Sequence, residues 1–337
     1  MADNQFTLAG GFRPALFGQN IMNLSTKTNR LLASGILTPD PVLAARLSEA
    51  GEDIVTLPYT NDLEGDPQVL DDLHDIEVNG LTTGTQRVFR MRQAQAFGYT
   101  DISQILSVSD PRDAIAQRFA AYWNRVDQQT LLAILQGIFA NTDIATAKLF
   151  DDSSNTFNAK GFLATIGLLG DIQDQTFNKI AVNSSVYSEM KSLNMLDQTA
   201  KPSDAVTPFG TYQGMTIVVD DDIPLDKTSG VATSYIFGNG AIGYSTAPFG
   251  QSVEVERESK KQGGRTNIIN RRTLGMHVLG TSVAKTFAPV GQTPVTSDLA
   301  AGSTWESVID PRNIKVVAYK AKVEDMFIPG KQAAPKP

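Results

Sequence analysis

Apolar positions fall at helical spacing most clearly between Pro111 and Phe139. Ile115, Phe119, Tyr122/Trp123 and Val126, then Leu131, Leu132, Leu135, Ile138 and Phe139, mark one continuous stripe. The start signals agree. Ser109 or Asp110 can act as N-cap, Pro111 takes the favoured first helical position, and Asp113 puts negative charge in the first turn. Gly137 is the only weak helix former in the last turns. Such a helix would be ~43 Å long, far above the ~11–12-residue mean, and would act as a beam.

Before the beam, the pattern changes twice. Residues 1–50 are punctuated by Gly10, Gly11, Pro14, Gly18, Gly35, Pro39 and Pro41 and read as an irregular arm whose best helix runs from Val42 to Ala50. Asp53 to Leu57 reads as a strand stopped by Pro58. A polar stretch, 61–86, follows. Arg87 to Arg92 then alternates, Phe89 and Met91 against Arg90 and Arg92, at the two-residue period of a half-wet strand. A strand, a long excursion and a returning strand make a long hairpin, and a loop of that length in a compact domain usually serves a function.

After the beam comes an α/β block: a helix from Ala159 to Leu169, a strand from Lys179 to Val182, and a helix capped by Ser184/Ser185 and running to about Leu193. Strands at Met215–Val219 and Ser234–Phe237 complete it. From Ser252 the pattern is β: Val253 and Val255 alternate with Glu254 and Glu256, Asn267 to Leu279 is strand-like, and Asn313 to Val323 is a late strand. The tail, 324–337, carries Pro329, Pro335 and Pro337 and has no core periodicity.

Composition adds exclusions. With 337 residues, 41% hydrophobic and 19% charged, the chain can bury a core of one or two domains. It has no cysteine, which removes disulfides, thiolate metal sites and thiol nucleophiles. The run Leu131 to Leu135 falls far short of the ~20 apolar residues that span a bilayer, and no secretory pattern is visible at the N-terminus. The net charge of −7 argues against a basic face that wraps nucleic acid. That charge is local. Asp62, Glu64, Asp66, Asp71, Asp72, Asp75 and Glu77 all lie between Asn61 and Gln86, where there is no Lys or Arg.

Candidate chemistry is sparse. Gly238-Asn-Gly240-Ala-Ile-Gly243 matches GxGxxG, but no helix start follows it, so a turn is expected rather than a dinucleotide cradle. His74 sits in the acidic excursion and His277 in a strand, neither at metal-ligand spacing. Asp220-Asp221-Asp222 reads as a strand-end turn before it reads as a cation site. No catalytic residue, cofactor site or metal site is expected.

The order of elements is similar to that of the major capsid proteins of tailed double-stranded-DNA phages, the α+β fold named after phage Hong Kong 97. LPYTNDLEGDPQVLDD (57–72), SDPRDAIAQRFAAYWNRVDQQTLLAILQGIFA (109–140), TSYIFGNGAIGY (233–244), NRRTLGMHVLG (270–280) and DPRNIKVVAY (310–319) look like the corresponding blocks of Bacillus siphophage coat proteins. The resemblance runs from about Phe12 to Val323. It implies an N-arm (1–53), an extended E-loop hairpin (54–97), a P-domain with the spine helix (98–149), an A-domain (150–251), returning P-domain strands (252–323) and a C-terminal tail (324–337).

The role implied is structural, not enzymatic: hexamers and pentamers of the chain form an icosahedral shell around packaged double-stranded DNA. The partners implied are other copies of the chain, a separate scaffolding protein, a portal protein and a decoration protein, with no membrane and no sequence-specific DNA binding. The location implied is the virion, after assembly in the host cytoplasm. The seven hairpin acids have no local counter-charge, so they are expected to lie across a neighbouring subunit and pair partly with Arg257, Lys260, Lys261, Arg265, Arg271 and Arg272. A solvated acidic loop is the other reading. At the level of sequence an encapsulin-like compartment shell of the same fold and a soluble hydrolase also stay open.

Overall fold

A computed structural model of the chain describes residues 31, 34–49, 51, 53–61, 63, 67–68, 75–76, 78–106, 111–168, 177–193, 211–212, 214–289 and 293–331. The expected caps Ser109 and Asp110, the histidine His74, most of the arm and the end of the tail lie outside them. In chain order the elements begin with β1 (Leu37–Pro39), α1 (Pro41–Ser48), β2 (Ile54–Thr60), β3 (Thr83–Thr100), α2 (Asp101–Leu106) and α3 (Pro111–Ala140). Next come α4 (Thr142–Lys148), β4 (Leu149–Thr156), α5 (Ala159–Ile166), β5 (Phe177–Val182), α6 (Ser184–Ser192), β6 (Thr211–Tyr212), β7 (Met215–Val219) and β8 (Val231–Gly238). The last are β9 (Ile242–Glu258), β10 (Arg265–Val278), β11 (Thr281–Val283), α7 (Thr296–Leu299), β12 (Trp305–Ser307) and β13 (Val316–Lys322).

Two sheets share the core. The first has the order β1-β9-β10-β3-β2 and the second β4-β13-β8-β5-β7-β6; β11 and β12 form a small pair. Helix α3, the expected beam, joins the two. Its first half lays Phe119 and Trp123 on Tyr99 and Ile268 of the first sheet. Its second half, Leu131 to Ile138, is buried in a cluster that holds Phe89, Leu274 and Met276 of the first sheet with Tyr235, Phe237, Val316 and Ala318 of the second. Gly137 is there for closeness rather than flexibility: a Cβ would overlap the Leu299 carbonyl and the Trp305 ring.

Three local readings are corrected by the neighbours each residue meets. Pro58 does not stop β2, which runs through it to Thr60 and pairs Pro58 with Thr85 of β3. Because β2 is an edge strand, a missing N–H on its open side breaks no ladder. Helix α6 is capped by Asn183, whose side chain accepts from Ser185 N–H, and not by Ser184 or Ser185. The tail is not wholly outside the core, since Ile328 is buried beside α5 and α6 in the second sheet's outer cluster.

One grouping also changes. The strand β13 was expected among the P-domain returns, but it sits in the second sheet, parallel to β4 and antiparallel to β8. The expected boundary at 251/252 likewise cuts through β9, a continuous strand. The turn at Gly238–Gly243 explains this boundary. Gly240 has φ of +67°, and the chain leaves β8 of the second sheet to enter β9 of the first. No helix follows, so the glycines make a crossing and not a phosphate cradle.

His277 is a satisfied strand histidine. Gln86 Nε2 donates to the Val278 and Thr281 carbonyls, at 3.0 and 2.6 Å, which fixes the amide so that its nitrogen also faces His277 Nδ1 at 3.0 Å. The ring therefore carries its proton on Nε2 and donates to Asp40 at 3.0 Å. Burial holds the ring below its ordinary pKa against the pull of Asp40. Asp40 also caps α1 by accepting from Val42 and Leu43 N–H, so one polar chain ties α1, β10 and the base of the hairpin. The triplet Asp220–Asp222 is a turn, with Asp220 accepting from Asp222 N–H and Gln128 donating to both carboxylates. Among the described residues no cluster could hold a metal ion, and no single helix is long and apolar enough to cross a membrane.

The tail's anchor is sensitive to pH. Glu189 on α6 is buried and accepts from Glu324 N–H at 3.2 Å. Burial, then the nearby Glu324 charge, push its carboxyl up to about 7 although the hydrogen bond opposes them. A carboxyl raised in the folded state binds more protons than the unfolded chain between its two pKa values, so stability falls as pH rises through that window. Glu189→Gln is expected to stabilise the fold by about 1–3 kcal/mol at pH 8 and by almost nothing at pH 4. Melting curves of the two proteins at both pH values check this.

Candidate assembly surfaces

The hairpin begins as well-made sheet. β2 and β3 pair from Ile54↔Phe89 to Thr60↔Thr83, and Asn61 closes the ladder on Thr82. Its base is locked to the body. Tyr59 Oη donates to the Val308 carbonyl at 2.6 Å, Arg87 reaches the Ala284 carbonyl at 2.7 Å, and Ser282 Oγ accepts from Arg87 N–H at 3.0 Å. Past Asn61 several described apolar side chains lie in solvent. Leu63, Ile76, Val78 and Leu81 are exposed, Val78 at 94%. Of the seven acids only Asp75 is among the described residues, and it is exposed; Asp62, Glu64, Asp66, Asp71, Asp72 and Glu77 lie outside them.

The six expected cationic partners sit along the β9–β10 arm, and five already have carboxylates of their own chain. Arg257 forms a two-pronged pair with Asp101 at 2.7 and 3.1 Å. Hydrogen bonding to that guanidinium holds the Asp101 carboxyl below its ordinary value. Lys261 and Arg265 both approach Glu258, at 2.6 and 3.6 Å, and Arg271 meets Glu254 at 2.7 Å. Lys260 is exposed at the turn.

Arg272 is different in kind. It is buried against Asp127 of α3, lies 4.1 Å over the Trp123 ring and donates to Gln93 at 3.0 Å. Tyr244 Oη donates to the same carboxylate at 2.9 Å, and burial, then the Asp127 charge, raise its pKa. Arg272 therefore fastens the beam to the sheet and is closed to a neighbour. Arg257 and Lys261, about half-exposed or more, can exchange partners, because exposed pairs are worth only ~0–1 kcal/mol.

A second surface was not anticipated. Among the described residues β9 is the outer strand of its sheet from Ser245 onward, since β1 covers only Ile242–Tyr244. Its side chains Phe249, Val253 and Val255 are each about half-exposed. An open strand edge with exposed valines is a surface that a folded protein normally covers. The alternation at Val253–Glu256 showed a strand, but only the sheet order shows that it is an edge.

Comparison with known proteins agrees with this architecture. No protein-family model matches the chain. The major capsid protein of Bacillus phage SPP1 is 32% identical over 319 residues, covering 92% of this chain and 96% of that one. The capsid of cyanophage Pam1 superposes with a TM-score of 0.60 at 12% identity, over 96% of this chain and 99% of that one. The capsid of Ralstonia phage GP4 gives 0.56 at 12% identity, over 90% and 88%. Among the readings that the sequence left open, the match to a capsid protein over nearly the whole chain points to a structural role in a phage shell. A spine helix joining two sheets, a locked but unfinished hairpin and near-complete alignment with a capsid protein make one conclusion: the chain belongs to the phage major capsid proteins of the Hong Kong 97-type fold, which build the shell of the virion.

Proposed function

We propose that this chain assembles as hexamers and pentamers into a closed icosahedral shell, with residues 54–97 reaching over the adjacent subunit. The observation that carries this reading is the hairpin itself, anchored at its base and exposing Leu63, Ile76, Val78 and Leu81 among its described residues. Apolar side chains left in water at the end of a rigid arm gain by burial on a neighbour, at roughly 25 cal/mol per Å². Residues 1–53 serve as an arm between subunits, the second sheet with its helices lies at the capsomer centre, and α3 with the β9–β10 arm forms the wall.

The hairpin acids pair with exchangeable cations of the adjacent copy, Lys260, Lys261 and Arg257 first. A shell repeats each such contact many times, so terms below ~1 kcal/mol accumulate. A separate scaffolding protein and a portal complete the assembly in the host cytoplasm. Double-stranded DNA is packaged inside without sequence-specific contacts, consistent with the net charge of −7.

Replacing residues 62–81 by a short glycine-containing turn tests the reading. The shortened protein is expected to keep the wild-type melting temperature, because the hairpin base holds its own contacts, and to form no closed shells by electron microscopy. Normal shells from that variant would contradict it.

A further inference from the structure

Arg90 is the one buried arginine whose charge the described structure leaves without a carboxylate. Its residue is 6% exposed, and its Nε is buried with no hydrogen-bond partner. One prong is accounted for: Nη2 donates to the Arg46 carbonyl at 2.6 Å, at the C-terminal end of α1, where exposed carbonyls favour a cation. Arg90 lines an open cavity of about 370 Å³ between α1 and β2, with Arg46, Glu49, Gly51, Thr56 and Pro58. That volume lies in the lower range of small-ligand pockets, ~300–1,000 Å³.

Among the described residues the charges around the cavity do not balance. Arg46 pairs with Glu49 at 3.2 Å, both about half-exposed, and Arg92 pairs with Asp53 at 3.0 Å. Arg90 is left over. A guanidinium out of water without a counter-charge is costly, and its planar fork matches a carboxylate held by two parallel N–H groups.

We propose that this cavity is a carboxylate-binding site, filled in the shell by an acidic side chain from the 61–86 segment of a second copy. The inference rests on the shell reading above and names a specific acceptor for the hairpin's charge. The occupant follows from complementarity: seven acids without a single Lys or Arg fall in that segment, more carboxylates than the exchangeable cations Arg257, Lys260 and Lys261 can pair.

A mutational cycle on shell yield tests it. Four proteins are assembled side by side: wild type, Arg90→Gln, a variant with all seven acids changed to Asn or Gln, and the combination. Each single variant is expected to lower the yield at limiting concentration roughly tenfold, and the combination no further than the worse of the two. A yield equal to the product of the two losses overturns the site while wild-type shells leave the assembly reading intact. Melting of the unassembled proteins separates the sources of the carboxylate. The seven-acid variant should melt as wild type does; a lower melting temperature, or a Glu52→Gln variant that alone reproduces the Arg90→Gln loss, places the partner within the same chain and overturns the proposal. Should Arg90→Gln fail to fold, Arg46→Gln, on the exposed rim, carries the same cycle with the same two outcomes.

Discussion

Asp127→Ala is expected to yield insoluble or unassembled protein. Asp127 is 1% exposed and accepts from Arg272 and from Tyr244 Oη. Removing it strands a buried guanidinium over Trp123 and an unpartnered phenol, and breaking a buried pair from one side costs about 3–5 kcal/mol. That is a large share of the ~5–15 kcal/mol that holds a domain together. Asp127→Asn keeps an acceptor and removes the charge, so it should fall between the alanine variant and wild type. The order of the three in soluble yield and in urea midpoint checks the account, and an alanine variant as stable as wild type would show that the pair fastens nothing.

Val126→Pro, one residue earlier, acts through the backbone. It removes one hydrogen bond of α3 and drives the proline ring into the preceding turn, at about 3 kcal/mol or more. The kink falls where the beam passes from the Trp123 cluster to the shared core. The expected result is loss of folded protein, against a much smaller loss for Val126→Ala at this partly buried position. Normal shells from the proline variant would mean that the beam need not be continuous.

How much of this was readable beforehand depends on whether the determinant is local. The stripe from Ile115 to Phe139 and Pro111 at its head marked α3 to within one residue at its C-terminal end. Strand β3 was only partly visible, because its apolar positions change phase after Met91, from Phe89 and Met91 to Ala94 and Ala96, although it pairs with β10 through this stretch. Strand β4, with the sequence LFDDSSNT, has no apolar residue after Phe150 and is a strand because it lies along the edge of β13.

The candidate site divides in the same way. The hairpin's acidity is a composition of neighbours and could be read directly. The fate of the cations could not, because Arg272 meets Asp127 from 145 residues away and Arg257 meets Asp101 from 156. Arg90 gave no signal either. In the sequence it is the wet member of an alternating strand, and only the packing of α1 over β3 buries it and leaves its charge unpaired.

The central claim is that this chain is a shell subunit whose hairpin is completed by its neighbour. Electron cryo-microscopy of the purified protein after assembly tests it most directly. Closed shells of hexamers and pentamers, with residues 62–81 lying over the adjacent subunit and Leu63, Ile76 and Val78 buried there, are the result expected. Shells in which that segment stands free in solvent, or a protein that remains a monomer under every assembly condition, would contradict it.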